Sequence, residues 1–279
     1  MIFKIRKNEK RKKCAASAHV SLFMGPFLPK LHLMSKGKKI LIVDDEPDLR
    51  EIIADEFRFD GDEVYEAANG VEALAIYQEK RPDVVISDIR MPGGDGVTLA
   101  KNIKKLDPLS SRVFLITGFA DLSPAEAYEF GVDGFFNKPF HLEEIREGIA
   151  RSYLPTEERW LLKPDTKIPV TAELILRSQD WLHDFQSGIL PLGRGGFFLP
   201  ANKIIPMTTS LRHGENVALK AGAELLGYFI VRWVRGESKD SIQGIGLEFL
   251  ALKPQLLELV SAMTKKLDSA AYIPSKVTS

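Results

Sequence analysis

The sequence predicts an α/β fold in its first half, a five-stranded parallel doubly wound sheet over residues 38–153. A small antiparallel β-barrel with a terminal helix is expected over residues 168–279. Three observations carry this reading. Short apolar runs alternate with segments of helical periodicity from residue 38 to residue 153. Beyond residue 167 the helical spacing gives way to strand-like runs punctuated by glycine. The length of 279 residues matches about two domains.

The elements follow in order. Lys39–Val43 (KILIV) reads as a fully buried strand, and Asp48–Phe59 places Leu49, Ile52, Ile53 and Phe57 at helical spacing. Glu63–Ala67 is a second strand, Gly70–Lys80 a helix, Asp83–Ser87 (DVVIS) a third strand and Val97–Lys105 a helix. Val113–Thr117, Ser123–Phe130, Gly134–Phe136 and His141–Tyr153 complete the series as strand, helix, strand, helix. Residues 154–167, with Pro155 and Pro164, read as a linker. Strands are then expected at Val170–Leu176, Gly195–Leu199, Glu215–Ala221, Glu224–Val234 and Gly244–Leu250. Pro254–Leu267 closes the chain as an amphipathic helix with Leu256, Leu259, Val260, Met263 and Leu267 on one face. Trp181, Phe185 and Trp233 are expected in the core.

Residues 1–37 stand apart. Lys4, Arg6, Lys7, Lys10, Arg11, Lys12 and Lys13 face one acid, Glu9, and the weakly apolar stretch that follows is broken by His19, Gly25, Pro26 and Pro29. A basic, disordered extension is expected, and the interrupted apolar stretch argues against a signal peptide.

Composition narrows the function. Lys+Arg and Asp+Glu are both 38, so no net basic charge points to nucleic acid. A single cysteine, Cys14, excludes an internal disulfide and a thiolate metal centre, and the five histidines lack metal-ligand spacing. No apolar run is long enough for a membrane span.

Parallel sheets carry their sites at the carboxyl ends of their strands. Asp44 and Asp45 end the first strand, Asp88 the third and Thr117 the fourth, and Lys138 follows the fifth. Carboxylates crowded in one crevice repel one another, and a hard cation such as Mg²⁺ with oxygen ligands relieves the repulsion. A carboxylate can act as nucleophile toward phosphorus, a lysine can pair with the phosphate and a hydroxyl can bond to it. Singly, each residue has a plainer role available, such as a helix cap, a turn or a solvated charge.

ILIVDDE at 40–46, DIRMP at 88–92, TGF at 117–119 and NKPF at 137–140 together resemble the receiver domain of bacterial response regulators, over about residues 38–153. The resemblance implies phosphorylation of Asp88, with Asp44 and Asp45 as the acidic pair. Asp45 and Asp88 would bind Mg²⁺ through their side chains and Arg90 through its backbone carbonyl. Thr117 would be the switch hydroxyl, Phe135 the switch aromatic and Lys138 the phosphate-pairing lysine, with a cis bond to Pro139. A sensor histidine kinase or a small phosphodonor is the implied partner, the cytoplasm the implied location, and a switch rather than a metabolic enzyme the implied role. A haloacid-dehalogenase-type phosphatase would need Asp-x-Asp where Asp44-Asp45-Glu46 stands.

The second half, over about residues 159–255, resembles a PilZ domain through GGFFL at 195–199, LRHGENVAL at 211–219, YFIVRWVR at 228–235 and GIGLEF at 244–249. That family binds cyclic di-GMP through an Arg-x-x-x-Arg segment and an Asp/Asn-x-Ser-x-x-Gly motif. Here the first is Arg159-Trp-Leu-Leu-Lys163, and a lysine lacks the bidentate fork. The second aligns as Pro191-Leu-Gly193-Arg194-Gly-Gly196 and keeps only its last glycine. The expected output is therefore a protein contact, with cyclic di-GMP held by Arg159, Lys163 and Arg194 as the alternative. A DNA-binding output is not expected, since no helix-turn-helix pattern follows residue 154.

Overall fold

The structure, a computed structural model, describes residues 37–118, 122–163, 167–205, 210–236, 242–264 and 271–276. The basic segment before residue 37, Cys14 included, lies outside the described residues, as do Phe119, Pro164 and the end of the expected last helix.

The first sheet has the order β2-β1-β3-β4-β5, with every pair parallel. Its strands are β1 (Lys39–Val43), β2 (Glu63–Ala67), β3 (Val84–Asp88), β4 (Arg112–Thr117) and β5 (Gly134–Asn137). The helices between and after them are α1 (Pro47–Phe59), α2 (Gly70–Lys80), α3 (Gly96–Leu106), α4 (Pro124–Glu129) and α5 (Leu142–Tyr153). The period of two along β1 sends Ile40 and Ile42 to one face, with Ile53, Phe57 and Ile149, and Leu41 and Val43 to the other, with Leu99 and Ile103. Both faces are apolar because helices cover both, and all five residues of β3 are buried. Asn69, Asp95 and Ser123 cap α2, α3 and α4 by accepting backbone N–H bonds from Glu72, Thr98 and Glu126.

The strand order reverses between β1 and β3, and the crevice at their carboxyl ends lies there. Gly96, at the start of α3, sits against the end of β3; a Cβ there would overlap the Asp88 carbonyl oxygen.

The second sheet has the order β6-β8-β9-β10-β7, from β6 (Ala172–Leu176), β7 (Gly196–Pro200), β8 (Asn216–Ala221), β9 (Glu224–Arg235) and β10 (Gly244–Leu252). The expectation of a wholly antiparallel unit is corrected at one edge, where β6 and β8 run parallel. The chain between them passes through α7 (Trp181–Gln186) and β7, and so has the length a parallel return requires. The stretch read as linker contains α6 (Thr156–Arg159), and Trp160 packs edge-on against Phe249 at 4.8 Å. The last helix, α8, spans Pro254–Thr264. A core of Trp160, Trp181, Phe185, Phe197, Phe229 and Phe249 lies on one side of this sheet. Phe198, Trp233, Tyr272 and Ile273 instead join the core of the first sheet.

Candidate functional site

Strand ends deliver the acidic crevice. Asp44 directly follows β1 and is 2 % exposed, while Asp88 ends β3 at 6 %, so both carboxylates are largely removed from water. Lys138 follows β5, and its Nζ lies 2.7 Å from Asp88 Oδ1, 3.4 Å from Asp44 Oδ2 and 3.9 Å from Glu46 Oε1. One ammonium thus joins the ends of three strands. Its backbone is tied into the sheet, with the Lys138 N–H donating to the Thr117 carbonyl at 2.6 Å. The Lys138–Pro139 bond is cis.

The remaining oxygens are oriented by backbone. Arg90 N–H donates to Asp88 Oδ2 at 3.0 Å and Glu46 N–H to Asp44 Oδ1 at 2.8 Å. Burial raises the Asp44 pKa, and the Asp88 charge adds to this, against the lowering by the Glu46 N–H and Lys138. Burial alone would lower the Lys138 pKa, but its bond to Asp88 and the charges of Asp44 and Asp88 prevail and raise it. Lys138 therefore stays an ammonium ion, able to pair with an anion brought to Asp88.

Thr117 is buried at the end of β4, and Phe135 is buried in β5 two registers below Asn137, which pairs with Thr117. Asp45 and Arg90 lie exposed at the rim. Among the described residues no three His, Cys, Asp or Glu side chains gather as a metal cage. Two buried carboxylates beside an exposed third suit Mg²⁺, which keeps several waters and takes only one or two protein carboxylates together with phosphate oxygens.

The second set of candidate residues lies elsewhere. The Arg159 guanidinium donates to the Ser152 and Leu154 carbonyls, each at 2.6 Å. Arg194 donates to Asp133 Oδ1 at 3.0 Å and to the Gly131 carbonyl at 2.8 Å. Both arginines are engaged with groups of the first half of the chain, and Lys163 lies on the surface.

Sequence reasoning passed over Asp133, Lys104, Tyr128, Tyr272 and Glu248. Lys104 Nζ and Asp133 Oδ2 form a buried pair at 2.7 Å. Glu248 pairs with Arg232 and, at 3.5 Å, with Arg151 of α5. Their partners are 29, 16 and 97 residues away along the chain, separations that no local pattern records.

Comparison with known proteins reaches the first half. The family described as response regulator receiver domain matches residues 40–150. Sporulation initiation phosphotransferase F of Bacillus subtilis is 39% identical over 120 residues, which cover 43% of this chain and 95% of that protein. Chemotaxis protein CheY of the same organism is 37% identical over 116 residues, 41% of this chain and 96% of that protein. Longer relatives match over a similar length only: regulatory protein AtoC of Escherichia coli is 36% identical over 120 residues, 26% of its own length. Among solved structures, the response regulator TrrA of Thermotoga maritima in complex with Mg(2+)-BeF is 34% identical, covers 41% of this chain and aligns with a TM-score of 0.36. The second sheet lies outside the family match. Through residues 40–150, with their parallel five-stranded sheet, the chain belongs to the response regulator receiver family.

Proposed function

We propose that this chain is a two-component response regulator that takes a phosphoryl group on Asp88 and signals through its second sheet by protein contacts. The observation that carries the reading is the Lys138 ammonium held 2.7 Å from Asp88, beside buried Asp44, at the carboxyl ends of β1, β3 and β5. An Asp88 oxygen attacks phosphorus, and the bond to the donor's leaving group breaks, the leaving group keeping the electron pair. Lys138 then exchanges its pairing with Asp88 for the phosphoryl oxygens, and Thr117 turns its hydroxyl toward them. Asp45, Asp88 and the Arg90 carbonyl would hold Mg²⁺. When bound, the ion supplies neutralising charge to the phosphoryl oxygens. The donor is a sensor histidine kinase or a small acyl phosphate, and the setting is the cytoplasm; no described helix is long and apolar enough to cross a membrane. The role is that of a switch, not of a metabolic enzyme. Output through protein contacts is favoured over cyclic di-GMP because Arg159 and Arg194 already bond to the receiver.

The test is incubation with a small acyl phosphate and Mg²⁺, read as a mass increase of one phosphoryl group. Wild type should label in a hydroxylamine-labile form and Asp88→Asn should not. Equal labelling of both would show that the acceptor lies elsewhere.

A further inference from the structure

The zero net charge of the chain conceals two opposed segments. Residues 1–13 carry seven basic side chains against Glu9, and residues 44–66 carry eleven acids against Arg50 and Arg58. Blocks of opposite sign attract each other or a charged partner. Four of the acids, Asp48, Glu51, Asp55 and Glu56, stand exposed on α1. Its buried positions are Ile53, Ala54 and Phe57; Asp48, Ile52, Asp55 and Phe59 recur on the opposite side at helical spacing.

That outer stripe is not wholly polar. Ile52 is 41 % exposed and Phe59 79 %. One exposed apolar side chain needs no partner, but two on one stripe, two turns apart among carboxylates, suit a segment that is both apolar and basic. Asp55 is met by Arg58 at 3.2 Å and Glu56 by Arg146 at 2.9 Å, whereas among the described residues Asp48 and Glu51 have no such cation.

The chain enters the receiver beside the far end of the same stripe. Lys38 N–H donates to Asp62 Oδ1 at 3.0 Å and Glu63 N–H to the Lys38 carbonyl at 2.8 Å, which fixes residue 38 close to the end of α1 at Phe59. The helix rises about 20 Å along its length. The residues between Lys13 and Gly37 can reach roughly three times as far. Exposed ion pairs are individually weak, but the tether makes their formation intramolecular, at an effective concentration on the order of millimolar.

We propose that residues 1–13 dock on the outer stripe of α1, with Ile2, Phe3 and Ile5 against Ile52 and Phe59 and the basic side chains against Asp48, Glu51 and Asp55. Residues 1–13 match the stripe in both respects, since they alternate apolar with basic side chains over Ile2–Lys7 and continue as Lys10, Arg11, Lys12 and Lys13. Because α1 begins directly after Asp44, Asp45 and Glu46, the docked cations lower the negative potential at the mouth of the crevice. The docking does not depend on which carboxylate accepts a phosphoryl group.

The experiment is carbodiimide cross-linking of the full chain, which joins an amine to a carboxylate in direct contact. It is mapped by mass spectrometry on an equal mixture of isotopically light and heavy chains. Lys4, Lys7, Lys10, Lys12 and Lys13 should join Asp48, Glu51 or Asp55 of their own chain about fivefold more often than Glu224 or Glu258, which are exposed on the second half. The yield should fall about fivefold in roughly 0.5 M salt. Ile52→Ser with Phe59→Ser keeps every carboxylate and disturbs no buried side chain, so the variant should keep its circular dichroism while the yield drops about threefold. An undiminished yield in that variant means that charge alone draws the segment, and overturns the stripe as its seat. Cross-links spread evenly over the exposed acids, cross-links only between light and heavy chains, or no cross-links at all overturn the docking.

Discussion

Asp133 is buried beside three cations that come from both halves of the molecule, Lys104 and Arg112 of the receiver and Arg194 of the second half. Burial alone would raise its pKa, but these charges and the Lys104 bond hold it at about 2. A carboxylate depressed in the folded state stabilises the fold above its unfolded value of 3.8 and loses that contribution as pH falls through about 2. The shift corresponds to on the order of 2 kcal/mol. Asp44 has the opposite sign: burial raises its folded pKa, so its ionised form costs stability that acid gives back. Urea unfolding at pH 5 and at pH 2.5 should therefore show a loss that shrinks in Lys104→Met, where Asp133 has one cation fewer. At pH 7 the same variant should lose about 3–5 kcal/mol, the cost of breaking a buried pair. The crevice acids Asp44 and Asp88 were legible because they stand at the ends of apolar strands. Lys104 was not, because it is one of two adjacent lysines at the end of α3, and only the fold decides which of them turns inward.

Elements announced themselves where local chemistry and long-range packing agree. β1, β3 and β4 are apolar on both faces and could be read only as buried strands. Ser123 and Glu126 close a capping box on α4, with Pro124 at its first position. That cap matters because α4 is too short to hold its own hydrogen bonds and presents Tyr128 to the rest of the molecule. Ser123→Ala should cost about 1 kcal/mol in thermal unfolding and speed amide exchange at Ala127 and Phe130, which bond back into the first turn. The same sequence hid α7, whose six residues hold less than two turns and show no period. It also hid the parallel pairing of β6 with β8, since a strand's own residues do not name its neighbour. Gly193 and Gly195 were legible as missing side chains; their role as clearance for Tyr272 depends on a segment nearly eighty residues away, and nothing local signals it.

At the scale of the molecule, two cores are joined by a third that belongs to both sheets. One receiver face packs Ile40, Ile86 and Phe114, and the second sheet packs Phe197, Phe229 and Phe249, each separate from the other. Between them, Phe198 stacks on Trp233 at 5.4 Å, and these rings share a core with Tyr128, Phe135, Tyr272 and Ile273. The ion pairs around the seam repeat the arrangement, with Arg151 of α5 reaching Glu248 and Arg194 reaching Asp133. Halves that share buried apolar surface and buried charges should unfold together, whereas each half has enough core of its own to fold once the seam is cut. Differential scanning calorimetry of the full chain should show one transition. Trp233 is 5 % exposed in the core the halves share, and Trp233→Ala should cost about 3–5 kcal/mol. Its scan should separate into two transitions, the receiver's one moving up on addition of Mg²⁺, the ion its acids fit. Two transitions in the wild-type scan would mean that the shared core around Phe198, Trp233 and Tyr272 couples nothing.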